Sequence, residues 1–179
     1  MTDQKQTEKR GHHRGRYEDR DDLAGEHRLG DLGQLILLLV FLAVWISDSF
    51  FLRYSVILLD VIPSAVRTIV GFGLQLLAGF LAWRGLSVVF GEEREEPAVI
   101  RDGVFGVVRH PIYLAAILTY LGFLVHALSL AAAGVWVVII VFYVFISRHE
   151  EKLLIDKFGE DYRAYMREVG MFIPRLRRR

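Results

Sequence analysis

Two polar clusters stand out in the chain, Arg109-His110-Pro111-Ile112-Tyr113 and Glu150-Glu151. Together they offer guanidinium and imidazole donors, a phenol and two carboxylate acceptors, and Arg148 adds a further cation. Such a set suits a polar or zwitterionic ligand with a flat ring, gripped by opposite charges and aromatic faces at once. Each member alone is a weak signal. A lone histidine at a helix start is more often structural, a lone tyrosine is an ordinary interface aromatic, and a glutamate pair is an ordinary solvated helix end. The force lies in their convergence. Between the clusters the chain makes two apolar runs, 112–125 and 128–146. At a rise of about 1.5 Å per helical residue, each run is near or just under the apolar thickness of a bilayer. Two passes return the chain to the face it left. His110, Tyr113, Glu150 and Glu151 then meet at one membrane face, where isolated charges are costly and require partners or a ligand.

The elements that must position these residues follow from composition. Of the 179 residues, 53% are hydrophobic and gathered into long runs, which indicates an all-α integral membrane bundle rather than a soluble core. About four transmembrane helices are expected: 32–52; a second opened by Pro63-Ser64 and running to about residue 89; a third opened by Pro111; and a fourth continuing past Glu150-Glu151 to Phe158, with Gly159 as its stop. Small residues at Gly71, Gly73, Ala78, Gly79 and Ala82 permit close helix contact in the second span. Arg67 and Arg84 near its ends read as snorkelling cations. Residues 1–30 are polar with both charge signs and read as a disordered or surface-lying segment. Residues 31–179 form the membrane-embedded domain, with the ligand site expected in 101–174. Seven Lys and Arg precede the first span and nine lie from Arg148 onward. The positive-inside rule then places the termini and the site in the cytoplasm, most simply at a cell inner membrane.

Past Gly159 a short amphipathic helix is expected, with Tyr162, Tyr165, Met166 and Val169 on one face. It reads either as a helix resting on headgroups or as a lid whose aromatic face covers the site. The arginines at 175 and 177–179 suit anionic lipid. The chain has no cysteine, which excludes disulfides, thiolate metal sites and cysteine nucleophiles. His12 and His13 have no third ligand, and the acidic run Glu92, Glu93, Glu95, Glu96 reads as a solvated face, so no metal site is expected. The net charge of +1 carries no nucleic-acid signature.

The residues RHPIY, then RHEEKLLIDKFGEDYRAY, then FIPRL carry a family resemblance. They resemble the superfamily of isoprenylcysteine carboxyl methyltransferases and phospholipid methyltransferases. Matching positions include Arg109, His110, Pro111, Tyr113, Glu150, Glu151, Phe158, Gly159, Tyr162, Tyr165 and Pro174, and the multi-part spacing is far more specific than one short motif. The resemblance covers roughly the C-terminal half, and Ala115 stands where the common pattern has glycine. It implies an S-adenosylmethionine cofactor, with His110, Tyr113, Glu150 and Glu151 lining its pocket. On that basis Glu150 or Glu151 accepts from the ammonium or ribose, and Arg109, His110 or Arg148 meets the carboxylate. Tyr113, Tyr162 and Tyr165 then pack on the adenine or the sulfonium. His110 and Glu151 are the catalytic candidates, assisting where the acceptor must lose a proton. The acceptor implied is lipophilic, an isoprenylcysteine-like carboxylate first and a phospholipid amine second. Two other readings compete. Sterol reductases that use NADPH also look like RHPxY, but their later acidic motif contains a cysteine that this chain lacks. A non-enzymatic membrane scaffold would use the clusters only to anchor the hairpin.

Overall fold

The computed structural model describes residues 28–91 and 98–175. The polar segment before residue 28, the acidic run in 92–97 and the last arginines lie outside the described residues. Five α-helices follow one another: α1 (Arg28–Ile46), α2 (Ser64–Gly91), α3 (Pro111–Ala127), α4 (Leu130–Phe158) and α5 (Glu160–Glu168). Among the described residues there is no strand, and one parallel backbone bridge joins Val108 to Gly170.

Local chemistry fixes the boundaries. Pro111 opens α3 at its first position, where a missing N–H removes nothing from the helix. Leu128 turns α3 off in the left-handed region at φ 49°, and its N–H donates to Leu124 O. Ser129 caps α4 by accepting from the Ala132 N–H at 3.1 Å. Gly159, at φ 58°, separates α4 from α5 as expected of a glycine stop.

Three helices are long and apolar enough to cross a membrane: Gly30–Leu52, where a π-helical turn (Ser47–Leu52) extends α1, Ser64–Gly91 and Leu130–Phe158. The protein is an integral membrane helical bundle. The fourth apolar helix, α3, is shorter: it has 17 residues and is about 25 Å long, just under the apolar thickness as its sequence suggested. The burial pattern supplies the reason. No residue of α3 is exposed, whereas α1, α2 and α4 present leucine, valine and phenylalanine outward. The central helix packs largely on protein, so a bilayer-matched length matters less for it.

Small residues bring the helices together. Gly71, Ala78 and Gly85, seven apart, are the buried positions of α2. A Cβ on Gly71 would stand 2.6 Å from the His126 ring, one on Gly85 2.8 Å from Ile112, and one on Gly122 of α3 2.7 Å from Gln75. Gly73 and Gly79 face open space, so only part of the expected small-residue set makes the contact. Arg67 does more than snorkel. Its guanidinium donates to Ile62 O at 3.1 Å and to His126 O at 2.7 Å, capping the end of α3. Arg84 is exposed beside Trp83. Helix α1 packs on α4 through Gly33 against the Phe142 ring, and through Phe41 in a core with Ile117, Tyr120, Ala132, Ile139 and Tyr143.

Sequence reading took Asp48 only as a marker of the far interface. It is buried, and it accepts from the Tyr54 and Ser55 N–H groups at 3.0 Å and from the Ser55 and Ser129 hydroxyls at 2.5 Å. This knot ties the end of α1 to the start of α4 on the face opposite the polar clusters.

Candidate active site at one membrane face

The two clusters meet as the hairpin demands. Arg109 and His110 lie just before α3, and Glu150 and Glu151 lie in the last third of α4. All four are buried or half-buried. Arg109 forms the tightest junction. Its Nε donates to Glu151 Oε1 at 2.8 Å, and its Nη2 lies 2.7 Å from the same oxygen. Its Nη1 donates to the carbonyls of Met166 and Val169 at the end of α5. The backbone runs parallel to this tie: Arg109 N–H donates to Gly170 O at 2.9 Å and His110 N–H to Met171 O at 3.2 Å. One guanidinium fork thus joins the start of α3, the end of α4 and the exit of α5, a use for which arginine's planar donors are suited and lysine's are not.

The His110 ring sits between the two carboxylates, with Nε2 3.2 Å from Glu151 Oε1 and Nδ1 3.6 Å from Glu150 Oε2. Tyr113, one turn along α3, stacks parallel to His110 with ring centroids 5.8 Å apart, and its hydroxyl donates to Glu150 Oε1. Phe172, from the segment after α5, leans on the other side of His110.

Helix α5 settles the choice left open for the tyrosine face. Tyr162 and Tyr165 are each 3% exposed and pack with Val169 against Val99, Leu154, Ile155 and Phe158. The tyrosine face is docked on protein, as the lid reading requires. Tyr165 donates to Phe105 O at 2.7 Å. Burial pushes both hydroxyls above the usual tyrosine range, so they stay neutral. Outside, Arg101 clamps Asp161 at 2.5 Å and lies over the Tyr165 ring, holding the 3-10 turn (Gly103–Gly106) region to α5.

These elements enclose a cavity of about 400 Å³, within the size range of small-ligand and cofactor sites. Its polar lining is Arg109, His110, Tyr113, Glu150, Tyr162 and Tyr165, joined by Asp31 and Gln34 of α1. Leu86, Val89, Phe90, Ile112, Ile146, Leu154 and Phe158 make it largely apolar otherwise. Six of the eight sequence-derived site residues therefore line one cavity. Glu151 does not; it stands behind the wall, bound to Arg109 and His110. Arg148 is exposed and also absent from the lining, because two residues along a helix turn it to the side of α4 opposite Glu150, which does line the cavity. The cavity also exceeds the expected 101–174, since α1 and α2 supply a wall. Asp31 and Gln34 were missed because a polar residue at the start of an apolar helix looks like a helix end. Only their i, i+3 spacing hinted at a shared face.

Residues 66–161 match the family model described as phospholipid methyltransferase, which is more than half of the chain. The chain belongs to the phospholipid methyltransferase family. The matched segment holds α2, α3, α4 and both polar clusters. Family membership favours the methyltransferase reading of the motifs over the reductase and scaffold readings. Among curated proteins, the chain is 32% identical over 116 residues to the methanethiol S-methyltransferase of Pseudomonas sp. (strain GM41(2012)), covering 59% of this chain and 43% of that protein. It is 34% identical over 124 residues to the protein of the same name from Pseudomonas deceptionensis, covering 60% and 44%. It is 34% identical over 87 residues to methanethiol S-methyltransferase 1 of Bradyrhizobium diazoefficiens, covering 47% and 29%. The chain thus spans less than half the length of these relatives. No solved structure matches it significantly.

Proposed function

We propose that this protein is an S-adenosylmethionine-dependent methyltransferase whose acceptor is a small lipophilic nucleophile, with a thiol as the leading class. The observation that carries the reading is the cavity itself: a family-matched polar cluster facing a largely apolar chamber at one membrane face. The donor set fits the cofactor. Glu150 suits its positive groups, His110 and Tyr113 suit its carboxylate or hydroxyls, and Tyr162 and Tyr165 suit its adenine. When bound, the cofactor supplies an electrophilic methyl group on a sulfonium.

The chain's own residues do the rest. The apolar lining excludes water and holds the acceptor in line, and orientation alone can supply much of the acceleration. A thiol must lose its proton to attack. His110, between two carboxylates, and Glu150, at the cavity wall, are placed to accept it. Glu151 acts through Arg109 and His110 as a positioning residue.

The acceptor class follows from the cations. Arg109 is the only Lys or Arg lining the cavity among the described residues, and its donors are committed to Glu151, Met166 and Val169. With His110 and Tyr113 assigned to the cofactor's carboxylate or hydroxyls, a phospholipid phosphate or a prenylcysteine carboxylate would find no further donor of positive charge there, whereas a neutral thiol needs none. The naming of the relatives as methanethiol S-methyltransferases points the same way. The lysine and arginine asymmetry supports a site on the cytoplasmic side of an inner membrane.

The test is methyl transfer from labelled cofactor by the detergent-solubilised protein to a short alkyl thiol, a farnesylcysteine analogue and phosphatidylethanolamine. Product at the thiol alone supports the reading. Product at the lipid amine alone transfers the assignment to the phospholipid alternative, and product at the farnesylcysteine alone transfers it to carboxyl methylation. No transfer, with no stabilisation by S-adenosylhomocysteine, removes the enzyme assignment.

A further inference from the structure

The cavity wall opposite the hairpin comes from the first turns of α1. Gly30, Asp31 and Gln34 line it, and all three precede the family-matched segment. Gly30 is buried and Gln34 half-buried on the helical face that continues to Phe41. Asp31 stands at the mouth, exposed, and takes part in no hydrogen bond or ion pair among the described residues. A carboxylate in a first helical turn is favoured by the helix dipole wherever it occurs. The dipole does not explain why this one borders a cavity that Tyr113 also lines.

The charges around the cavity decide what it prefers. Asp31 and Glu150 face it as carboxylates, while the guanidinium of Arg109 is held to the buried Glu151 and two carbonyls. Two carboxylates beside low-dielectric apolar walls focus a negative field into the chamber. Methyl transfer would change its occupant by one charge: a lone pair of the acceptor bonds the methyl carbon as the sulfonium C–S bond breaks, that bond's electron pair stays on the cofactor sulfur, and a sulfonium becomes a neutral thioether.

On the donor-site reading above, we infer that Asp31 is a charge-selecting residue of the cofactor site. With Glu150 it favours the sulfonium form and releases the thioether form. The product is then expelled by the loss of the charge that held the substrate. This assigns to α1, outside the segment shared with the family, a share of the cofactor's recognition.

The experiment compares two probes in detergent by calorimetry: S-adenosylhomocysteine, neutral at sulfur, and sinefungin, which carries a protonated amine where the donor has its methylsulfonium. Asp31→Asn is nearly isosteric at an exposed position, so folding is not at stake. Asp156→Asn removes the same charge from an exposed site of α4 outside the cavity. Asp31→Asn weakens sinefungin about three- to tenfold, the range for a partly screened charge contact. It leaves S-adenosylhomocysteine unchanged, while Asp156→Asn changes neither. Equal weakening of both probes, or no change in either, overturns the inference and leaves the donor-site reading standing. Failure of the parent protein to bind either probe overturns that reading, and this inference with it.

Discussion

Replacing Arg109 by methionine tests the central junction. The substitution keeps length and apolar stem but removes the fork that meets Glu151, Met166 and Val169. The Glu151 carboxylate is 5% exposed, and breaking a buried pair from one side costs about 3–5 kcal/mol. The two carbonyls lose a shared donor, each worth about 1–3 kcal/mol if it stays dry. His110, 3.2 Å from Glu151, recovers part of the loss, so a total at the bottom of the combined range, about 5 kcal/mol, is expected. For a domain of this size that is a fall in melting temperature of roughly 10 °C. The three tryptophans report it by fluorescence in detergent. The decisive arm is a double-mutant cycle. Arg109→Met with Glu151→Leu removes both charges, and the pair of changes should cost at least about 2 kcal/mol less than the sum of the singles. Arg109→Met melting like the parent protein, or a double variant equal to that sum, would refute the account of the junction.

Glu150→Gln keeps the Tyr113 contact but loses the charge, and should weaken sinefungin about tenfold, the usual size for one charge-assisted bond, as read by calorimetry. Arg148→Ala, on the exposed side of α4, should leave cofactor affinity and turnover at parental values. Asp48→Ala removes the acceptor of four hydrogen bonds and should cost about 2–4 kcal/mol in detergent melts, whereas the exposed Asp60→Ala should stay within about 0.5 kcal/mol. A cysteine at Tyr54, 89% exposed, should react with an impermeant maleimide from outside the cell; labelling only after lysis would reverse the topology.

The membrane architecture and the meeting of the clusters were legible because both rest on one-dimensional signals. Apolar run length indicates crossing, and an even number of passes returns His110 to the side of Glu150. Gly159 and Pro111 could be read because their backbone chemistry is local. What sequence could not resolve was rotation about a helix. Arg148 and Glu150 are two residues apart and so on opposite sides of α4, and nothing local shows which of them faces the cavity. The same ambiguity hid the wall formed by Asp31 and Gln34, which exists only because α1 packs on α4 through Gly33 and Phe41. The Asp48 knot was hidden for another reason: its partners Ser55 and Ser129 become neighbours only through long-range packing. The double role of Arg109, holding Glu151 and the α5 carbonyls together, likewise needed the position of α5.

The short central helix has a consequence for the bilayer. Helices α2 and α4, with 28 and 29 residues, are each about 42–44 Å long and meet lipid along their flanks. In a thicker or thinner membrane they relieve hydrophobic mismatch by tilting or by local deformation of the lipid, each at modest cost. Helix α3 has no exposed residue and meets less lipid than its neighbours. His110 and Tyr113, carried at its start, take their depth chiefly from packing on protein, whereas Glu150 and Glu151 ride on α4. A change of bilayer thickness therefore acts on the polar cluster through its glutamates rather than through its histidine and tyrosine.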